Sequence, residues 1–424
     1  MRSVEKCSTN MQVTADLQVH SRFARACSKQ ITLQKLEQYA KIKGLNLLGC
    51  ADWTHPVWNK EILACLKEDE NGILWSPNKF PFLWQSEVSL TYTQDGKGRR
   101  VHHLIFAPNG EVVKQLIDVF SKRWRLDYDG RPIFGISSIE FIELLQSVSK
   151  DVELIPAHAW TSFFGILGSK SGFDSVEECF KEKSHLIHAI ETGMSSDPAL
   201  NWRISQLDKY NLVSFSDLHS FWPHRIGREA SIFDVKELTY KNIIEAIRTG
   251  EGLAATIETN PEYGKYHIDG HRLCNVVLEP SESRKLNNIC PKCHRELTIG
   301  VLHRVEDLAD RPQGYIRKNA KPFYHLIPLS ELIATVYNIQ QVNAKQVWSI
   351  YNELIKRFNS EFNIMLNVPE QDLKKIAHEK LINAIVKCRQ DKLKIKPGYD
   401  GVYGEILLDD NEKITKTQKS LSDF

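Results

Sequence analysis

The chain carries almost no net charge: 55 Lys and Arg offset 53 Asp and Glu, leaving +2 with histidine neutral. A polycation that binds polyanions over its whole surface is therefore excluded. No run of about 18 apolar residues occurs, so no membrane-spanning helix is expected. Met1 to Gln12 has no apolar run behind its basic residues. A secretory signal is thus not expected, and the expected compartment is the cytoplasm, with nucleoid association if the source is prokaryotic. The nine cysteines are odd in number and scattered, except for Cys290 and Cys293. In a reducing compartment this argues against a disulfide framework and for metal binding by the close pair. Solenoid repeats and low-complexity tracts are absent too.

What is present is ordinary globular composition, 42% hydrophobic and 25% charged over 424 residues. That length exceeds one ordinary core and predicts two or three domains. Charge is uneven. Residues 311–396 hold 15 Lys and Arg against 7 Asp and Glu, which fits a basic module facing a polyanion, or a solvated helical face.

From residue 13 to 258, short apolar runs alternate with amphipathic segments. Val13–Val19, Leu45–Gly49, Phe82–Tyr92, His102–Ala107, Val152–Ala157, Leu186–Glu191 and Leu212–Ser216 read as strands. Thr32 reads as an N-cap and Gly44 as the stop of the helix between them. Glu111–Trp124, Ile139–Ser149 and Val176–Lys183 read as helices. This alternation predicts an α/β domain, plausibly a barrel. Residues 259–312 concentrate His and Cys. Residues 313–406 read as a basic helical domain, with helices Leu326–Tyr337, Ala344–Phe358, Glu370–Ile376 and Glu379–Arg389. Residues 407–424 read as a polar tail.

Seven successive strands each offer an imidazole or carboxylate near an end. Asp16 and His20 close the first; Asp52 and His55 follow the second; Glu87 lies in the third. His102 and His103 begin the fourth, and His158 ends the fifth. Glu191 ends the sixth with Asp197 soon after, and Asp217 and His219 follow the seventh. Strand ends converge on one face of an α/β barrel, and such a mixed donor set suits zinc, manganese or iron. Several ions there would clamp a phosphoryl group and activate water. Separately, Cys290-Pro-Lys-Cys293 and His271-Arg-Leu-Cys274 have the spacing of a Cys3His structural zinc site, with His267 an alternative fourth ligand. Trp160 and Phe163 follow His158 closely and are candidates for stacking on a base. Lys392, Lys394 and Lys396 alternate, as a phosphate track on an extended strand would.

Asp16-Leu-Gln-Val-His20-Ser, Glu87, His158 and Ser216-Asp217-Leu-His219-Ser resemble the PHP (polymerase and histidinol phosphatase) superfamily. Longer strings resemble endonuclease Q. They include Gly49-Cys-Ala-Asp52-Trp-Thr-His55-Pro, Gly168-Ser-Lys-Ser-Gly-Phe-Asp174, Glu191-Thr-Gly-Met-Ser-Ser-Asp197-Pro, Leu302-His303-Arg-Val-Glu-Asp-Leu-Ala-Asp-Arg311-Pro and Lys396-Pro-Gly-Tyr-Asp-Gly401. The likeness runs from about residue 14 to 406. It implies a distorted seven-stranded (β/α) barrel, then a zinc-binding module and a C-terminal helical domain. The implied activity is metal-dependent hydrolysis of the phosphodiester 5′ to uracil, hypoxanthine, xanthine or an abasic site, leaving a 3′-hydroxyl and a 5′-phosphate. The implied cofactors are divalent ions (zinc, manganese or magnesium) in the barrel and one structural zinc. The implied partner is damaged double- or single-stranded DNA, bound by a monomer, with any repair or replication protein partner left unnamed.

The implied ligands are His20, Glu87, His158, Asp217 and His219. Asp52, His102 and Asp197 are further ligands or the base that orients water. Asp197, Asp217 and His219 form the implied catalytic set. Ser169 and Lys170 join Trp160 and Phe163 as implied DNA contacts. His303 and Arg304 are assigned either to a backbone phosphate or to an ion pair with Glu306 or Asp307. One departure stands out: the superfamily opens on His-x-His, and here Gln18 holds the first position. Glutamine is a poorer zinc ligand than imidazole. Two other readings follow: a PHP-type small-molecule phosphoesterase, and a catalytically weak relative that binds damage.

Overall fold

The computed structural model describes residues 10–408. The first nine residues and the tail beyond Leu408 lie outside them. The chain opens with β1 (Met11–Asp16), α1 (Leu33–Lys43), β2 (Leu47–Gly49) and α2 (Pro56–Cys65). Next come β3 (Lys67–Glu68), β4 (Ile73–Trp75), β5 (Pro81–Leu83), β6 (Gln85–Gln94), β7 (Lys97–Phe106) and α3 (Gly110–Ser121). They are followed by β8 (Ile133–Phe134), α4 (Ser138–Val148), β9 (Glu153–Pro156), α5 (Val176–Phe180), β10 (Ala189–Glu191), α6 (Pro198–Asn201) and β11 (Asn211–Val213). Then β12 (Ala230–Val235), α7 (Tyr240–Thr249) and β13 (Leu253–Glu258) lead to a small hairpin, β14 (Asp269–His271) and β15 (Val276–Leu278). Helices α8 (Pro280–Lys285) and α9 (Val301–Leu308) precede β16 (Phe323–His325). The last elements are α10 (Leu329–Val336), α11 (Lys345–Phe358), α12 (Glu370–Leu373), α13 (Glu379–Arg389), β17 (Lys394–Lys396) and β18 (Glu405–Leu407).

Local chemistry explains many of these boundaries. Thr32 accepts from the Lys35 amide and caps α1, and Gly44 ends that helix at φ 102°. Ser137 and Glu140 form a capping box at the start of α4. Asp95 and Gly96 both have positive φ and turn β6 into β7, a hairpin in register from Gln85↔Phe106 to Gln94↔Lys97.

Hydrogen bonding divides the strands into a mixed eight-stranded sheet, β16-β13-β12-β1-β2-β5-β4-β3, and a four-stranded sheet, β8-β6-β7-β9. Three strand pairs stand beside them, β10–β11, β14–β15 and β17–β18. Single contacts tie these together: Ala107 N to Trp84 O at 3.2 Å links the ends of β7 and β5, and Ser214 N to Ser231 Oγ at 3.0 Å links the β10–β11 pair to β12. Strand–helix alternation predicts parallel neighbours, yet β6, β7 and β9 pair antiparallel. The Asp-Gly turn is the reason for the first pair, because it returns the chain along the strand it has just left; β9 reaches β7 only after α3 and α4. The expected strand from Leu186 begins as a 3-10 turn, and only Ala189–Glu191 is extended. The basic helical region also contributes β16 to the main sheet, parallel to β13.

One apolar cluster joins Trp53, Trp58, Phe120 and Phe141 to Leu332, Tyr351 and Ile385 of the C-terminal helices. A second joins the main sheet and α7 to β7, β9, β10 and β11 through Leu104, Ile155, Ala189 and Val213. The cysteine-bearing hairpin has only Val276, Cys290 and Leu297 as a core. Among the described residues, no helix is long and apolar enough to cross a membrane.

Candidate metal centre

Glu87 points inward from β6, and His102 from β7. Ser89 faces His102 in the register, so Glu87, two residues along, is its diagonal neighbour on the same face. His158 lies two residues beyond β9, which pairs with β7. Gln18 and His20 follow β1, and Asp217 and His219 follow β11. His158 and Asp217 sit at φ 32° and 47°, a costly conformation for residues other than glycine.

Two candidate ligand groups result. His20, Asp217 and His219 each offer an atom within 4.8 Å of the others, as do Glu87, His102 and His158. Glu87 joins them. Its Oε2 lies 2.8 Å from His20 Nε2 and accepts from Gln18 Nε2 at 3.0 Å. Its Oε1 lies 2.7 Å from His102 Nδ1 and 3.4 Å from His158 Nε2. His20 Nε2 is also 3.2 Å from Asp217 Oδ1, yet neither atom has a hydrogen bond of sound geometry, and the buried Gln18 Oε1 has no partner. Crowded, unsatisfied imidazole and carboxylate atoms are what cations would satisfy, so the residues fit divalent ions.

Electrostatics point the same way. Burial opposes the charge on Glu87, but Arg131, His102 and His158 outweigh it and hold the carboxyl well below its usual range. Burial, reinforced by Arg131, pushes His102 down to about 3, and burial also lowers His219. Neutral imidazoles are the form that binds metal. His20 is also buried, but Asp52, Asp217 and Glu87 raise it well above the ordinary value.

Several expectations need correction. Asp52 spends one oxygen on His20 Nδ1 (3.0 Å) and the other on the Ser21 amide (2.6 Å), so it orients His20 rather than joining either ligand group. Asp197 lies away from both groups: it caps α6 through the Leu200 amide and faces His325 Nε2 at 3.1 Å. Trp160 is in the core with Nε1 bonded to Asn201, so neither ring face is open to a base. Arg304 donates to the Leu167 and Phe173 carbonyls and pairs with Asp174, which fastens α9 to that loop instead of to a phosphate. His303 is buried against Asp269 at 2.5 Å and its Nε2 lies 3.7 Å from Asp307, the ion-pair alternative rather than a phosphate contact; Arg284 also pairs with Glu306 and Asp307.

Other residues keep an exposed placement. Phe163 is 45% exposed, with its ring edge toward Tyr266. Lys170 is exposed on the same loop, while the Ser169 hydroxyl is buried without a partner. Lys394 and Lys396 share one face of β17, and Lys396 lies 3.6 Å from Glu405; Lys392 precedes the strand. His271, Cys274, Cys290 and Cys293 form a third ligand group, two from the β14–β15 hairpin and two from the Cys-x-x-Cys turn. His267 is not in it.

Arg131 was not visible as a site residue. Its Nη1 lies 3.6 Å from Glu87 Oε1. The one signal was Asp129-Gly130-Arg131-Pro132, a turn in which Gly130 packs so closely on Asp52 that no side chain fits.

Comparison with known proteins agrees with this geometry. The family model described as the MJ0043 C-terminal domain matches residues 328–392. The chain is 34% identical over 254 residues to the uncharacterized protein MJ0043 of Methanocaldococcus jannaschii, covering 58% of this chain but only 30% of that protein. It is 27% identical to the uncharacterized protein YqxK of Bacillus subtilis, covering 93% of this chain and 99% of YqxK. The lesion-specific endonuclease PfuEndoQ of Pyrococcus furiosus superposes with a TM-score of 0.84 at 30% identity, covering 95% of this chain and 98% of that one. An endonuclease Q complex with a 27-mer duplex, an abasic lesion at its active site, superposes equally well at 30% identity, covering 94% and 97%. With that identity sustained over nearly its whole length, the chain belongs to the endonuclease Q family.

Proposed function

We propose that the protein is a metal-dependent endonuclease that cuts DNA 5′ to an abasic site or a deaminated base (uracil, hypoxanthine or xanthine), leaving a 3′-hydroxyl and a 5′-phosphate. The observation that carries this reading is Glu87, whose two oxygens face two ligand groups at once. In the proposal His20, Asp217 and His219 hold one ion and Glu87, His102 and His158 another. Such ions, when bound, polarise a phosphodiester and lower the pKa of water. Arg131 adds a fixed positive charge beside Glu87 where a phosphoryl oxygen would arrive. Phe163, Lys170 and the lysines of β17 are proposed DNA contacts. The cysteine group is proposed to hold one structural zinc. The domain reading is a distorted seven-stranded barrel over 13–258, a zinc module over 259–312 and a helical DNA-binding region over 313–406, acting as a monomer. Support comes from the relative solved with an abasic duplex.

The test is nicking of an end-labelled duplex bearing one deoxyuridine, hypoxanthine or abasic site, with magnesium, manganese or zinc, beside an undamaged control. One nick 5′ to the lesion, abolished by Glu87→Ala, is expected. Absence of a nick on all three substrates, with binding retained, would favour the second reading, a relative that binds damage without efficient cleavage. That reading has its own observation: Gln18 donates to the very oxygen of Glu87 that faces His20. It predicts that Gln18→His gains both metal affinity and cleavage.

A further inference from the structure

Three segments outside both ligand groups bring cations to one place. Arg225 and Arg228 lie in the loop that runs from His219 to β12, Lys265 in the loop after β13, and Tyr403 between β17 and β18. The last two segments are fastened backbone to backbone. The Gly401 amide donates to the Lys265 carbonyl at 3.0 Å, and the Gly404 amide to the Tyr263 carbonyl at 3.1 Å. A side chain at Gly404 would collide with the Glu262 carbonyl, so this close approach needs glycine. Lys265 Nζ then stands 4.7 Å from the centre of the Tyr403 ring. Arg228 Nε donates to the Ser216 carbonyl at 3.1 Å, one residue before the candidate ligand Asp217.

Like charges repel, so a fold that gathers cations without counter-charges is stabilised when an anion arrives. Compensation here is thin. Arg225 Nη1 lies 3.7 Å from Glu331, whose other oxygen accepts from the Tyr263 hydroxyl at 2.9 Å. Arg228 and Lys265 form no ion pair among the described residues, and the Tyr403 hydroxyl makes no hydrogen bond among them. Glu229 follows Arg228, but burial and then Glu258 push its carboxyl well above the usual range, which favours the neutral form. The field of the cluster is felt at Tyr403. Burial opposes ionisation of its phenol, yet Arg228, Arg225 and Lys265 outweigh burial and lower it. All four side chains are half-buried, so a ligand from solvent reaches them. Two guanidinium groups, an ammonium and a free phenol hydroxyl suit an anion with several acceptor oxygens, and a phosphate is that anion.

We infer that Arg225, Arg228, Lys265 and Tyr403 form a phosphate seat, filled by a backbone phosphate of the strand whose neighbouring phosphodiester lies at the candidate metal ligands. A contact of this kind sets the register of a strand without reading its sequence. The seat itself stands on the residues above; that a strand fills it rests on the endonuclease reading.

Fluorescence anisotropy of an undamaged duplex, titrated with the intact protein at several salt concentrations, tests the seat, beside calorimetry with thymidine 5′-monophosphate. Arg225→Gln and Lys265→Gln should each weaken duplex binding roughly threefold to tenfold at physiological salt. Each should also lower the slope of log affinity against log salt by about one, as the loss of one phosphate contact does. The same variants should act on KM for nicking an abasic duplex, severalfold, more than on kcat. Glu331→Gln removes the carboxylate paired with Arg225 and should tighten binding, a gain that misfolding cannot imitate. Variants that weaken monophosphate binding and spare the duplex would identify a free phosphate monoester as the occupant and sink the strand assignment. If duplex affinity, salt slope, KM and monophosphate binding all ignore the three variants, the seat is overturned, and nicking by the same proteins would leave the endonuclease reading standing. A protein that binds the duplex through these residues yet never nicks a lesion would sink that reading and leave the seat.

Discussion

Asp52 illustrates how a residue can orient a candidate metal ligand without joining the ligand group. Both its oxygens are committed, to His20 Nδ1 and to the Ser21 amide, so it fixes which His20 nitrogen points at Glu87 and Asp217. Asp52→Asn keeps the shape but removes the charge that raises ligand basicity. It should lower metal affinity 10- to 100-fold, the usual cost of losing such a partner. Metal titration of the folded variant would show this. His325 offers a different test at the same scale. Burial opposes its charge, but hydrogen bonds to Asp197 and Asp391 outweigh burial and raise it from 6.5 to about 10. Because the folded value is the higher one, its stabilisation is complete below about pH 6.5 and fades as pH rises toward 10. His325→Gln should therefore cost about 1.5–3 kcal/mol at pH 6 and much less above pH 10, measured by urea denaturation at each pH. An equal loss at both would show that the charge contributes nothing.

At the scale of elements, the β14–β15 hairpin is the least self-sufficient part of the fold. Three buried residues cannot hold it, and two of the four candidate ligands come from the hairpin and two from the turn at Cys290. Cys290→Ser should remove one bound zinc per chain and expose residues 271–297 to protease, while the remaining core stays folded. Zinc analysis and limited proteolysis would check both; a protease-resistant, zinc-free hairpin would refute the metal's structural role. The convergence of His271, Cys274, Cys290 and Cys293 was legible in advance because ligand spacing is a local property. So were α1, through Thr32 and Gly44, and α11, through its helical period. The antiparallel run of β6, β7 and β9 was less legible, although Asp95-Gly96 is a turn signal. Pairing partners are settled by tertiary register, which a single strand does not encode. The site followed the same divide. Imidazoles and carboxylates at strand ends could be read directly. The retreat of Trp160 into the core and the arrival of Arg131 depend on how loops fold back, and loops carry no periodicity.

For the molecule as a whole, the question is what couples the half with the candidate metal ligands to the C-terminal helices. The shared apolar cluster does so without direction; a buried ion pair does so specifically. Lys43, at the end of α1, donates to Glu361 at 2.7 Å and to the Pro223 carbonyl at 2.8 Å, in the loop that continues from His219. Glu361 in turn accepts from the Leu329 amide at the start of α10 and from Tyr351 of α11. Both side chains are 2% exposed, so an unpaired charge left there would have no water to relax into. Lys43→Met or Glu361→Leu alone should each cost about 3–5 kcal/mol, because each strands the opposite charge. The double variant should cost distinctly less than the two combined, since it strands none. Urea denaturation of the four proteins measures that coupling. The same series read by nicking separates anchoring from stability. If the pair also holds the loop beyond His219 in place, the double variant regains stability but not rate. If rate returns with stability, the apolar cluster alone sets the loop, and the ion pair serves only the junction between the halves.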